Sequence, residues 1–253
     1  MKPRLSPCGA CVRPLSLLLV LLAACSPLRD TAVPPVPTPV PAPMPAPVAL
    51  PVPAPASIPA VDDPLARLVA RGAAQLVIDP DASLIAVTVR RGGAFARFGH
   101  DHVVASRRLS GRVDLLRYST DIEFRLDQMS VDEAGLRQIA GLDTQPDADA
   151  IAGTRRNMLV KVLDAEHFPL VRIHAERLAV GQPLQASITL HGVRRTMALP
   201  VTLREHNGRL LVDGTLQLRQ TDFGLVPYSV MGGALAVQDQ LELRFSIVAG
   251  PAR

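Results

Sequence analysis

Tryptophan is absent from this 253-residue chain, and its aromatic residues are only six phenylalanines and two tyrosines. A core so poor in rings must be built from Leu, Val, Ile and Ala. Cysteine is scarce as well: Cys8, Cys11 and Cys25 are the only three, all near the N-terminus. The chain beyond Cys25 therefore has neither disulfides nor thiol chemistry, and its stability must come from buried apolar surface. Cys8 and Cys11 form a CxxC, but no second pair and no βαβ pattern accompanies it, so a metal or redox reading has no support. A Gly-x-Ser-x-Gly elbow is missing, and nothing singles out a Ser, His and Asp set or a pair of carboxylates. Asp222-Phe223-Gly224 has the letters of the kinase magnesium motif without its glycine-rich loop, strand lysine or catalytic loop. It reads as a turn, with Gly224 allowing a bend and Phe223 facing the core.

A membrane-spanning helix is also lacking. The apolar run Leu15 to Ala24 is shorter than the roughly 20 residues that cross a bilayer. Preceded by Lys2, Arg4 and Arg13, it suits a secretory signal peptide. It ends in Leu22-Ala23-Ala24-Cys25, which resembles the lipobox of bacterial lipoproteins. That resemblance implies cleavage before Cys25, lipidation of its thiol and, with Ser26 following, an outer-membrane location facing the periplasm. Acyl chains contribute about 0.8 kcal/mol per buried methylene, so several together give a stable anchor. Removing the leader's three basic residues reduces the excess of positive charge to 24 against 23. No basic run is interleaved with aromatics, and a nucleic-acid partner is not expected.

From Pro34 to Pro59 nearly every second residue is proline, which favours extended polyproline II. At about 3.1 Å per residue this run reaches roughly 80 Å, enough to hold a domain away from its anchor. Asp62 to Gly72 reads as a short helical or irregular lead-in. The organisation is thus a leader over 1–24, a lipidated N-terminus and tether over 25–72, and one domain over 73–250.

Within that domain the pattern is alternation with period two. Ile85, Val87 and Val89 form one such face; Ile122, Phe124 and Leu126 a second; Leu184, Ala186, Ile188 and Leu190 a third. Met197, Leu199, Val201 and Leu203 follow, then Leu210, Val212, Leu216 and Leu218, and last Leu241, Leu243, Phe245 and Ile247. Each is a strand with one apolar face. Asn207-Gly208 between two such runs signals a two-residue hairpin. Ala148 to Phe168 breaks the pattern, with apolar residues at mixed three- and four-residue spacing, and reads as a helix or long loop crossing one end of the sheet. The sequence predicts an all-β fold, an antiparallel barrel of about eight strands, because closure buries one face and removes both edges.

Three stretches, "NMLVKVLDAEHFPLVRIHAERL" from Asn157, "ASITLHGVRRTMALPVTL" from Ala186 and "LQLRQTDFGLVPYS" from Leu216, resemble the YceI-like family. The resemblance spans about Gln75 to Val248. It implies an extended lipocalin-like barrel with one helical crossing segment and an apolar tunnel that binds polyisoprenoids or related lipids. It brings no catalytic residues. The expected ligand is an apolar isoprenoid-like lipid such as a polyprenol or quinone, with no other cofactor; a homodimer is left open. The residues placed at the ligand by face and position are Phe95, Phe98, Phe124, Met158, Phe168, Phe223, Tyr228 and Phe245.

The polar motif that stands out is Phe98-Gly99-His100-Asp101-His102. In an extended chain His100 and His102 share a face and Asp101 takes the other. Their Cα atoms then lie about 6.6 Å apart, close enough for both rings to reach one metal. A metal-binding protein or metal-dependent enzyme needs a third ligand, with His191 the first candidate and His167 and His174 the next. The competing readings are a barrel rim contacting a lipid headgroup and a purely structural turn. A barrel filled by its own side chains, engaging envelope partners without a ligand, is the third class of function.

Overall fold

The structure, a computed structural model, describes residues 62–142 and 144–252. The leader, Cys25 and the proline run lie outside the described residues. The first element is helix α1 (Pro64–Ala70): Asp63 caps it by accepting from the Leu65 N–H at 3.1 Å, and proline occupies its first position, where a missing N–H costs nothing. Gly72, at φ 86°, ends the turn after it.

Eight long strands follow, and four of them are broken in the middle. β1 (Gln75–Ile78) and β2 (Leu84–Gly92) lie end to end along one edge of the last strand, pairing Ile78 with Ala249 and Leu84 with Ser246. At the break the Val248 carbonyl accepts from the Asp79 N–H at 2.8 Å. Buried Ser83 serves the Val248 N–H, its hydroxyl accepting from it at 3.0 Å and donating to the Val248 carbonyl at 3.3 Å; buried backbone groups must be paired. β3 (His102–Ser106) and β4 (Ser110–Asp114) pair with β2 and β1 in turn, and β5 (Ser119–Arg125) and β6 (Ser130–Val131) pair with β4 and β3. Helix α2 (Ala134–Ile139) and helix α3 (Ala148–Arg156) then precede β7 (Leu170–Glu176), β8 (Leu184–Leu190) and β9 (Val193–Leu199). β10 (Val201–His206), β11 (Arg209–Arg219), the short β12 (Ser229–Val230) and β13 (Leu235–Gly250) complete the chain.

The antiparallel ladders run β13-β1-β4-β5-β7-β8-β9 and β10-β11-β13. Only Pro200 separates β9 from β10, so the two are one strand and the ladders close into a ring. Proline has no N–H to give a ladder and marks the bend. Across from it, Gly214 pairs with Val201 on one side and Phe245 on the other, and the Phe245 ring lies where a side chain at 214 would stand. This is the expected eight-stranded antiparallel barrel with a helical crossing. The Asn207-Gly208 hairpin is present, with both residues at positive φ and His206 facing Arg209.

One feature departs from the sequence reading. The outer face of β2 and β3 is apolar too, and α2 covers it: Ala86, Val103, Ala105 and Leu136 form a second small core. The crossing segment is α3, capped by Asp147 accepting from the Ala150 N–H at 2.8 Å, and it widens into a π-helical turn over Asn157–Val162. That widening accounts for the mixed spacing of its apolar residues.

Gly214→Ala would place a methyl 2.8 Å from the Pro200 carbonyl and inside contact distance of the Phe245 ring. It is expected to cost about 1–3 kcal/mol by overpacking. Gly135→Ala, in α2 with open space around it, is expected to be about 0.5–1 kcal/mol stabilising. Urea unfolding midpoints of the two variants check both.

Candidate functional site

The inward faces of the strands enclose a cavity of about 490 Å³, within the roughly 300–1,000 Å³ common for small-molecule sites. Its wall is aliphatic, with Val87, Ile122, Ile173, Ile188, Leu216 and Leu243 contributed by six different strands. Cross-strand neighbours Val87, Leu243 and Leu216 stand in one row at its middle. With no tryptophan in the chain, none of these rows carries an indole that would fill the space.

One end is closed by α1. Leu65 faces the cavity, and Leu68 is buried in the core beside it. Arg177 holds the helix there, donating to Asp63 at 2.7 Å and lying over the Tyr118 ring at 4.2 Å. Burial alone would raise the Asp63 carboxyl; the Arg177 bond and the helix N–H groups outweigh it and hold its pKa below the ordinary value. The lead-in segment is therefore part of the barrel's closure.

The other end is the mouth. Exposed Phe98 and His100 line it together with His102, Asn157 and Tyr228, and the π-helical turn lays Met158, Val162 and Leu163 across it. His100 and His102 share the inner face, their rings 6.3 Å apart. Asp101 takes the outer side, where it accepts from the Arg91 N–H at 2.8 Å and from Arg90 at 3.3 Å.

His102 is the better held of the two. Its Nδ1 lies 2.7 Å from Asp132 Oδ2, and the other carboxylate oxygen accepts from the Val103 N–H at 3.0 Å and from Arg137 at 2.6 Å. The side chains of Asp132 and Arg137 are 0% and 1% exposed. Arg137 also donates to the Asp101 carbonyl at 2.8 Å and to Thr144, tying the histidine loop to α2. Burial would raise the Asp132 pKa, but bonds from His102, the Val103 N–H and Arg137 together lower it below the ordinary value. On the cavity side, the one partner of His102 Nε2 among the described residues is the Thr154 hydroxyl, at a long 3.4 Å.

Of the residues expected at the ligand, Phe98, Phe124, Met158, Tyr228 and Phe245 line the cavity with His100 and His102. Phe95, Phe168 and Phe223 are not among its lining residues. Phe95 packs edge-on against Phe98 outside it, at 6.1 Å. Phe168 lies against His191 at 4.4 Å and under Gly192, and Phe223 is buried in the core in the 3₁₀ turn after β11. His191 occupies a left-handed turn position between β8 and β9. His167 pairs with Asp164 and His174 with Asp121 on exposed surface. Among the described residues, no three His, Cys, Asp or Glu side chains gather to hold a metal, so the His100–His102 pair lacks the third ligand that such a site requires.

Fold and site together define a closed antiparallel barrel built around an apolar cavity. The model of the YceI-like domain matches residues 76–249, and the chain belongs to that family. A polyisoprenoid binding domain from Saccharophagus degradans, implicated in plant cell wall breakdown, matches with a TM-score of 0.51 at 14% identity, over 71% of this chain and 99% of that one. BcnA of Burkholderia cenocepacia matches with a TM-score of 0.50 at 14% identity, over 68% and 98%. At these identities the likeness shows the shared fold. No curated protein matches the chain.

Because the folded-state pKa of Asp132 is depressed, its contribution to stability is present above the unfolded value, about 3.9, and is lost as pH falls through the folded one. Wild type is expected to lose stability on acidification below about pH 4. Asp132→Asn strands the Arg137 charge and is expected to cost about 3 kcal/mol at pH 7. It is also expected to show a smaller further loss at pH 3, measured by urea unfolding at both values.

Proposed function

We propose that the barrel holds the hydrocarbon chain of an isoprenoid-like lipid, a polyprenol, quinone or similar molecule, and acts as an envelope carrier or sequestering protein. The observation that carries this reading is the aliphatic cavity running between α1 and the polar mouth. Each methylene moved into it gains about 0.8 kcal/mol. A chain of several isoprene units therefore outweighs the roughly 4–15 kcal/mol lost in association. The likeness to a polyisoprenoid binding domain supports the same ligand class. The headgroup is placed at the mouth, beside His100 and His102. A binding role rather than catalysis fits a wall that offers contact and little chemistry.

In this reading Cys25 carries the lipid anchor, the protein sits on the outer membrane facing the periplasm, and the proline run sets how far the barrel stands from the bilayer. The apolar ligand and the membrane are its partners.

Leu243→Trp sets an indole in the middle row of the cavity, opposite Val87 and Leu216. The added bulk is expected to cost about 1–3 kcal/mol of stability and to leave the β-sheet circular dichroism intact. Saturable binding of a fluorescent polyprenol analogue is expected to be lost, while Glu242→Gln on the outer face keeps it. Equal binding by Leu243→Trp would place the chain elsewhere than in the tunnel.

A further inference from the structure

Resting on the lipid-binding reading, we infer that the mouth selects a headgroup bearing a hydroxyl donor, with His102 Nε2 as the acceptor. The assignment comes from what surrounds the ring. Asp132 can only accept, so His102 Nδ1 carries the proton between them. The other oxygen of that carboxylate accepts from buried Arg137. With that proton on Nδ1, the neutral imidazole offers Nε2 as a lone-pair acceptor, on the edge of His102 that meets Thr154 at the cavity wall.

That acceptor is poorly served by the protein. Its one partner among the described residues is the Thr154 hydroxyl at 3.4 Å, well beyond the length of a good bond to nitrogen. Val89, Val104 and Met158 form the apolar part of the lining, with His100 and Asn157 also at the mouth; a lipid filling the mouth removes the water that would otherwise serve Nε2. A headgroup with an O–H supplies the missing donor. A headgroup without one buries the lone pair unpaired, and that asymmetry is where hydrogen bonds discriminate most strongly. An alcohol, phenol or hydroquinol therefore fits, whereas an ether, aldehyde or quinone carbonyl presents a second acceptor to the first. Three cations near the mouth are already engaged: Arg91 donates to the Gly99 carbonyl at 2.8 Å and lies 3.8 Å from Asp101, Arg97 stacks on Phe98, and Lys161 lies over Tyr228. This disfavours a phosphate head relative to the neutral alcohol.

The test uses one chain and several heads: geranylgeraniol, its methyl ether, geranylgeranial and geranylgeranyl phosphate, titrated into the protein at pH 7.5 with calorimetry. The alcohol is expected to bind about tenfold tighter than the ether or aldehyde, and tighter than the phosphate. His102→Leu is expected to remove the difference between alcohol and ether while still binding both. The Nε2 signal of ¹⁵N-labelled His102 is expected to shift with the alcohol and not with the ether. Equal affinities across the wild-type series, or a phosphate preferred over the alcohol, overturn the headgroup assignment and leave the tunnel reading standing. Failure of every head group to bind overturns the tunnel reading itself. The wild-type series decides the matter even where His102→Leu does not fold.

Discussion

Ring closure at Pro200 is the constraint on which the other features rest. An antiparallel sheet that alternates apolar and polar faces must bury one face and protect two edges, and joining the edges does both. Here the join is made by one strand, β9 and β10, that pairs with β8 before the proline and with β11 after it. Gly214 and Phe245 fill the bend from the neighbouring strands. Once the ring is closed, every inward side chain faces another inward side chain. Their volume then decides whether the interior is solid or hollow. Rows of Val, Ile and Leu without tryptophan leave it hollow.

The two ends of the barrel are closed by different physics. At one end α1 inserts leucines and is fastened by a buried ion pair, Asp63 with Arg177, that also caps the helix. Removing either partner would leave the other charged and buried, which costs far more than the pair itself contributes. At the other end the closure is a wider, π-helical turn laid over the mouth, next to a histidine loop held from behind by Arg137. Turns of this kind interrupt a helix at some cost and are common at functional sites. The polar cluster His102, Asp132 and Arg137 fixes the loop, the start of β3 and α2 relative to one another. Toward the cavity it presents His102 Nε2, whose contact among the described residues is the Thr154 hydroxyl at 3.4 Å.

Much of this was readable from the chain itself. Alternation in six apolar runs, the Asn207-Gly208 hairpin and the mixed spacing after Ala148 point to the strands, a turn and the crossing segment, because each is a local consequence of backbone geometry. The lining was less legible. Bulky aromatics were the natural guess for ligand contacts, yet Phe168 and Phe223 fall in turns beyond the strand ends. There, period-two reasoning no longer says which way a side chain points. The wall is carried instead by aliphatic residues that look alike from row to row. Arg137 and Asp132 were missed because their partners are distant in sequence: Asp132 meets His102 across 30 residues, and Arg137 reaches the Asp101 carbonyl across 36. The uninterrupted apolar run Val103-Val104-Ala105 was the available signal that both faces of β3 are covered, and hence that a helix such as α2 lies outside it.

A lipid site and an empty interior differ in what the purified barrel carries. Native mass spectrometry of the protein recovered from a host that makes polyprenols and quinones distinguishes them most directly. A single adduct of isoprenoid-lipid mass per chain, released on denaturation and identified by extraction, is the expected result. Bare protein mass in repeated preparations from such hosts, with no lipid in the extract, would contradict a lipid site.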